Sequence, residues 1–341
     1  MAKLPAVLGV EQGAQGYAVV RITKVSGRDP ATGDAKQMQA QYGQAWGDAE
    51  AQAYYAALKQ RFHAETLPAA AKDEISQLKS PQFRGYSRLG GELTNGTVDW
   101  REQIDIGPER DVIPDAQGYW RLQGPNLWPS ALPALRPAFE SWSAALSAVG
   151  LRLLRHWAVS LGAVEDLFDA AFADRPATLI KVVRYPGTAD TTQGVGVHKD
   201  SGVLTLLLLE PGSTGLQVES ASGDWIDVPP RADAFVVNTG ELLEVATGGY
   251  LRATRHRVLA PSPGTDRVSI PFFLNPALDA RVPVIALPPE LAARGRGVEA
   301  DPDNPIFNTY GENAWKSRTR AHPDVAELHH GIRPAGVRSA Y

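Results

Sequence analysis

His198-Lys199-Asp200 sets an imidazole and a carboxylate two residues apart. On an extended strand, residues i and i+2 leave from the same face, so the pair can offer a nitrogen and an oxygen to one ion. A second imidazole, His256, follows 56 residues after Asp200 within the strand-like run Thr254-Arg255-His256-Arg257-Val258. Two His and one carboxylate around a metal with open coordination positions form the facial arrangement of non-haem Fe(II) sites. The three protein ligands leave about three positions of an octahedron for a co-substrate and O2. Eleven residues after His256 comes Arg267-Val268-Ser269, again i and i+2, leading into the apolar run Ile270-Pro271-Phe272-Phe273. A guanidinium among apolar strands is costly unless it meets an anion. A bare H-x-D is a weak signal, and an Arg at a strand start often pairs with a protein carboxylate. The ordered set, with the second His and the Arg-x-Ser on later strands, is far more specific.

Composition narrows the chemistry. The 341 residues contain no Cys, so zinc–thiolate sites, iron–sulfur clusters, disulfides and thiol nucleophiles are excluded. Any metal must be held by carboxylates, other oxygen donors or the seven His. His156 lies within a helical pattern and reads as an ordinary helix residue. A net charge of −4 gives no basic footprint for nucleic acid. No apolar run is long enough to span a membrane. Met1-Ala2-Lys3-Leu4-Pro5 lacks the apolar core of a secretion signal, so a cytoplasmic location is expected. Hydrophobic residues at 43% and charged residues at 21% fit a globular chain.

The elements that must position these residues are mostly strands. Leu179–Tyr185, Val203–Leu209, Ala234–Asn238, Thr254–Ala260 and Val268–Leu274 read as strands, and Leu216–Glu219 with Trp225–Val228 as a hairpin. Short strands closely spaced between Gly/Pro turns imply a sandwich or barrel. Ahead of them, Leu132, Leu135, Phe139, Trp142, Leu146, Val149, Leu153 and Trp157 recur at steps of three and four, predicting a helix over about 131–161. Residues 66–130 read as loops with short helical pieces, and 300–341 as loop and short helix. Near the N-terminus, Tyr17–Ile22 predicts a strand or hairpin, and 35–65 a helix weakened by Gly43 and Gly47.

From about residue 67 to 335 the chain resembles the isopenicillin N synthase-like family of Fe(II)/2-oxoglutarate-dependent oxygenases. The resemblance rests on Phe83-Arg84-Gly85-Tyr86, Asp99-Trp100-Arg101-Glu102, Gly124-Pro125-Asn126-Leu127-Trp128-Pro129 and Lys181-Val182-Val183-Arg184-Tyr185-Pro186. It continues through His198-Lys199-Asp200, Val237-Asn238-Thr239-Gly240-Glu241, His256-Arg257-Val258, Arg267-Val268-Ser269-Ile270 and Tyr310-Gly311-Glu312-Asn313.

The resemblance implies a mainly β fold with flanking helices, a double-stranded β-helix (jelly roll) with its core over about 178–280 inside an oxygenase domain of residues 67–341. It implies Fe(II) on His198, Asp200 and His256. Arg267 and Ser269 would hold the distal carboxylate of 2-oxoglutarate, with a hydroxyl contact from Tyr185. O2 and a small-molecule substrate complete the reaction, in which 2-oxoglutarate leaves as succinate and CO2 and the substrate is hydroxylated. Arg84, Tyr86, Trp100, Arg101 and Phe273 are candidate substrate-pocket residues by expected proximity. Residues 1–66 lack the family's opening strand and helix and resemble instead the C-terminal end of periplasmic peptidyl-prolyl isomerase-type chaperones, which suggests a fusion joined near Glu65-Thr66-Leu67. Two other readings stay open from sequence. One is an oxidase of the isopenicillin N synthase kind, in which the Arg-Ser pair holds the substrate's own carboxylate. The other is a non-catalytic fusion with a chaperone-like binding segment. Oligomeric state is not encoded in any of these features.

Overall fold

The computed structural model describes residues 6–11, 17–22, 67–188, 192–231, 234–298, 301–302 and 304–333. The chain divides into two units, Met1–Glu50 and Ala51–Tyr341. In the first, β1 (Ala6–Glu11) and β2 (Tyr17–Ile22) form an antiparallel hairpin. The helix expected over 35–65 lies outside the described residues.

The second unit is a jelly roll. Its larger sheet holds six antiparallel strands, β3 (Gly85–Ser87), β6 (Glu102–Ile106), β7 (Leu179–Pro186), β9 (Leu204–Leu209), β12 (Val236–Thr239) and β14 (Asp266–Leu274). Their order is β12-β9-β14-β7-β6-β3. The smaller sheet, ordered β11-β10-β13-β8, holds β8 (Gln193–His198), β10 (Leu216–Glu219), β11 (Trp225–Asp227) and β13 (His256–Leu259). A separate hairpin joins β4 (Glu92–Thr94) to β5 (Thr97–Asp99). The two sheets pack face to face. Val183, Tyr185 and Leu209 of the larger meet Val195, Leu216 and Val258 of the smaller in one buried apolar cluster. Alternation along each strand sends the other side chains outward.

The outer face of the larger sheet is covered by helices. Ile180, Leu204, Leu206, Phe272 and Leu274 share a core with α2 (Leu135–Ser160) and α3 (Asp169–Ala173). The remaining helices are α1 (Ala69–Glu74), α4 (Glu241–Ala246), α5 (Pro289–Ala292), α6 (Tyr310–Ala321) and α7 (Pro323–His330). No helix among the described residues is long and apolar enough to cross a membrane.

The long helix α2 lies where its periodicity predicts, but its buried face is one row over. Leu146, Gly150, Leu154 and Ala158 are buried, whereas Trp142 and Val149 are exposed. Small residues let the helix come close: a Cβ on Gly150 would stand 2.8 Å from Leu274 Cδ2. A pattern read by side-chain bulk overlooks such a face. The second correction is in residues 66–130, which contain the strands β3 to β6 as well as loops. In β6, Glu102, Gln103 and Asp105 are all buried, so the hydrophobic alternation that marks a strand is missing.

Candidate active site

His198 ends β8 and His256 begins β13, and the two residues are register partners across the smaller sheet. Their rings lie 4.2 Å apart between centroids. Asp200 stands two residues past the end of β8, so it reaches the site from a turn, not from the strand face that i, i+2 spacing suggests. That turn is fixed from below. Glu241 N–H donates to Asp200 O at 2.8 Å, and Leu242 N–H donates to Gly202 O at 3.1 Å. Gly240 allows this close approach, because a Cβ there would stand 2.1 Å from Gly202 O.

The three side chains turn one ligand atom each toward a common point. The Nδ1 of His198 lies 2.9 Å from Gly196 O, and the Nδ1 of His256 lies 3.0 Å from Thr254 O. A carbonyl can only accept, so each Nδ1 carries the proton and each Nε2 keeps a free lone pair. Both Nε2 atoms lie 3.8 Å from Asp200 Oδ1. The other oxygen of Asp200, Oδ2, accepts from Thr205 Oγ1 and Asn238 Nδ2, each at 2.7 Å. One ligand atom from each residue lies within 4.8 Å of the others, a group able to hold one metal ion. Hard and borderline donors with both tautomers preset suit Fe(II). Burial, then the neighbouring His256, pushes the His198 pKa down to about 4, so the ring is neutral at pH 7 as a ligand must be. Burial alone would raise Asp200, but the two imidazoles and the bonds from Thr205 and Asn238 outweigh it and hold the carboxyl below its ordinary value.

Arg267 and Ser269 share the inward face of β14, and Arg267 pairs in register with Tyr185 on β7. The guanidinium is 2% exposed. It stacks over the Tyr185 ring at 4.7 Å and reaches Ser269 Oγ at 3.4 Å. No carboxylate pairs with it among the described residues, and its Nε has no partner. Tyr185 connects this pocket to the metal-ligand strand, since a Cβ on Gly194 of β8 would stand 3.0 Å from Tyr185 Cδ1. A buried cation without a counter-charge, in an apolar cluster beside three converging ligands, can receive the carboxylate of a chelating acid.

The five pocket candidates separate. Phe273 has the same inward parity as Arg267 and pairs with Thr205, whose hydroxyl binds Asp200, so it faces the site. Trp100 N–H donates to Gln193 O at 3.1 Å, which ties it to β8, and its indole N–H has no partner. Arg101 pairs with Glu92 at 3.0 Å and with Asp99 at 3.2 Å. Asp99 Oδ1 in turn accepts from Gly196 N–H at 3.0 Å. Arg101 therefore supports β8 with its charge already satisfied. Tyr86 is turned away from the barrel: its hydroxyl donates to Glu102, which also binds Lys72 and Arg184 on the outer face. Arg84 shares a cleft with Leu179, the register partner of Phe273, at the end of β7 away from Tyr185. Alternation on β3 accounts for the outward turn of Tyr86. Thr205 and Asn238 escaped the sequence reading. Their signal was a hydroxyl and an amide set into apolar strands.

Comparison with known proteins gives these atoms a context. Residues 177–276 match the family model of the 2OG-Fe(II) oxygenase superfamily. Residues 47–131 match a model described as non-haem dioxygenase in morphine synthesis N-terminal. The second match begins at residue 47, and the chaperone resemblance gains no support from the comparisons. The chain is 37% identical over 280 residues to the 2-oxoglutarate-dependent dioxygenase frbJ of Dothideomycetidae sp., covering 76% of each. It is 33% identical over 224 residues to a homoarginine-6-hydroxylase of Oryza sativa, covering 63% of this chain and 67% of that one. Among solved structures, a 2OG-Fe(II) oxygenase family protein from Caulobacter crescentus aligns with a TM-score of 0.57 at 25% identity, over 83% of this chain and 85% of that one. The jelly roll, the His-Asp-His convergence and this degree of likeness agree, and the chain belongs to the Fe(II)- and 2-oxoglutarate-dependent dioxygenases, oxidoreductases that take O2 and a small molecule as substrates.

Proposed function

We propose that His198, Asp200 and His256 hold the catalytic Fe(II), that Arg267, Ser269 and Tyr185 receive the distal carboxylate of 2-oxoglutarate, and that the outcome is hydroxylation of a small molecule. The observation that carries this reading is Arg267, a buried guanidinium with no carboxylate beside it among the described residues. Iron with bound 2-oxoglutarate supplies the O2 activation, and 2-oxoglutarate leaves as succinate and CO2. The chain's own part is placement. The carbonyls of Gly196 and Thr254 fix the two imidazole tautomers. Thr205 and Asn238 hold Asp200 Oδ2, which leaves Oδ1 for the metal. The Val183, Val195, Leu209, Leu216 and Val258 cluster keeps water from the Arg267 end, where a guanidinium–carboxylate pair is strong. Phe273 and Trp100 line the substrate side. Hydroxylation is supported by the rice relative, which is named as a hydroxylase.

The test is anaerobic titration of the Fe(II) protein with 2-oxoglutarate, read by the metal-to-ligand charge-transfer band. Arg267→Leu is expected to weaken 2-oxoglutarate binding by roughly 2–5 kcal/mol, since the ligand's carboxylate would be left buried and unpaired, with iron still bound. Arg267→Lys restores charge without the fork and should recover part of the loss. A wild-type protein that consumes O2 yet gives neither band nor succinate with any substrate would reverse the assignment.

A further inference from the structure

The long helix α2 carries two apolar sides, and the fold uses one of them. Leu146, Gly150, Leu154 and Ala158 are buried. On a second side, Ala138, Trp142, Ala145, Val149, Arg152 and His156 follow one another at alternating steps of four and three, and all six are exposed. Alternating steps of four and three make the seam of a coiled coil, a stripe that offers itself to another helix along its length. The apolar face continues onto the sheet. The Trp142 ring lies 6.0 Å from that of Phe235, and Val237 on β12 is 46% exposed. β12 is the end strand of the larger sheet. A contiguous exposed apolar face of this kind marks an interaction site.

This face lies on the far side of the larger sheet from the three converging ligands. Gly150 of α2 packs on Leu274 and Leu204, whereas their neighbours Phe273 and Thr205 alternate to the inward face. The stripe is complementary to itself when a second copy is turned end for end about a point near Ser147. Ala138 then meets the partner's His156, Trp142 meets the partner's Arg152, and Ala145 meets the partner's Val149, each contact occurring twice. Every layer sets a small residue against a larger one or an aromatic ring against a cation. Arg152 makes no ion pair or hydrogen bond among the described residues, so its guanidinium is free to stack on that indole. A parallel pairing would instead put two Arg152 side chains at one layer, and like charges so placed repel. Antiparallel helices also bring opposite dipole ends together.

We propose that α2 and the adjoining edge of β12 form the interface of a two-fold dimer of this chain, with α2 packed antiparallel on the partner's α2. From Ala138 to His156 the seam runs about 27 Å, at 1.5 Å per residue, and a helix face is about 10 Å wide. Even with Phe235 and Val237 added, this falls short of the roughly 800 Å² per partner of a standard interface. The dimer is therefore reversible and concentration-dependent, not permanent.

The experiment is sedimentation equilibrium of the full chain across the micromolar range. Wild type is expected to pass from monomer to dimer as concentration rises. Val149→Glu should raise the dimer dissociation constant at least about tenfold, because its carboxylate would enter an apolar layer twice. Arg152→Ala removes both cation–aromatic contacts and should raise it about fivefold, while Arg152→Lys recovers part of the loss. Leu328→Glu, an equally exposed apolar position on α7, should leave it unchanged. Orientation is read by cross-linking, which is clean because the chain has no Cys. An oxidised mixture of Ala145→Cys and Val149→Cys proteins should give more disulfide-linked dimer than either alone. Equal cross-linking in the separate proteins overturns the antiparallel pairing. A dimer that Val149→Glu leaves intact overturns the interface. A monomer at every concentration, destabilised by Val149→Glu, assigns the seam to a segment of the same chain and overturns the proposal, as does a monomer indifferent to it.

Discussion

Asp200 divides its work between two oxygens. Oδ1 looks to the imidazoles, and Oδ2 is anchored by Thr205 and Asn238. A ligand held this way gains basicity and loses rotational freedom, and removing such outer partners commonly lowers metal affinity 10–100-fold. Thr205→Val keeps the shape and deletes the hydroxyl. It is expected to weaken Fe(II) binding by about tenfold or more while the fold persists, as measured by competition against a chelator of known affinity. The double variant with Asn238→Leu should weaken it further. The three converging residues and the Arg-x-Ser stand out in the sequence because their chemistry is rare: an H-x-D, a distant His and a spaced Arg-Ser pair. Their supports do not, because a lone Thr or Asn forms no spaced motif and only the fold shows which of them point inward.

Strands β6 and β8 show why part of the scaffold was hidden. β8 contains Gly194 and Gly196, and it must, because Tyr185 and Thr94 press against them: a Cβ on Gly196 would stand 2.9 Å from Thr94 Cβ. Neither glycine contributes to a hydrophobic pattern. β6 carries buried Glu102, Gln103 and Asp105 in place of apolar residues. The strands with Val, Leu and Phe, such as β7, β9 and β14, were legible for the opposite reason: their burial is written in bulk and β-branching. Polar burial has a consequence for stability at this scale. Arg101→Met would leave Glu92 and Asp99 without their shared partner next to β8, at 7% and 0% side-chain exposure. Breaking a buried pair from one side costs about 3–5 kcal/mol. The expected result is a loss of unfolding free energy of about that size, read as a lower urea midpoint at unchanged slope, together with weaker iron binding, because Asp99 no longer steadies Gly196 and the strand that ends at His198.

Acid should loosen the whole molecule through its buried imidazoles. His322 is fully buried, both ring nitrogens lack a hydrogen-bond partner, and burial pushes its pKa down to about 4. His198 is pushed down to about 4 as well. Between that value and about 6.5 the unfolded chain holds protons that the native chain does not, so stability falls as pH falls through this window. Each such His contributes a slope of up to about 1.4 kcal/mol per pH unit, and about 2 kcal/mol by pH 5. His322→Leu fills similar space without a titrating group. It is expected to remove roughly half of the loss between pH 7 and pH 5, read as the difference in urea midpoint, with iron content at pH 7 unchanged. An unaltered pH slope would show that His322 does not carry its share.

The β8–β13 ladder is irregular. His256 faces His198, and the register then shifts before Val258 meets Val195 and again before Leu259 meets Gln193. A bulged ladder has few evenly spaced backbone bonds, so its first rung rests largely on what joins the two imidazoles. An ion that binds the folded arrangement alone stabilises it by mass action, about 1.4 kcal/mol for every tenfold excess of free metal over its dissociation constant. Iron supply thus acts as a thermodynamic dial on the seam between these strands. Where iron is scarce, the ladder at His198 and His256 is expected to open more readily, read as faster amide hydrogen exchange at Val258 and Leu259 without Fe(II) than with it.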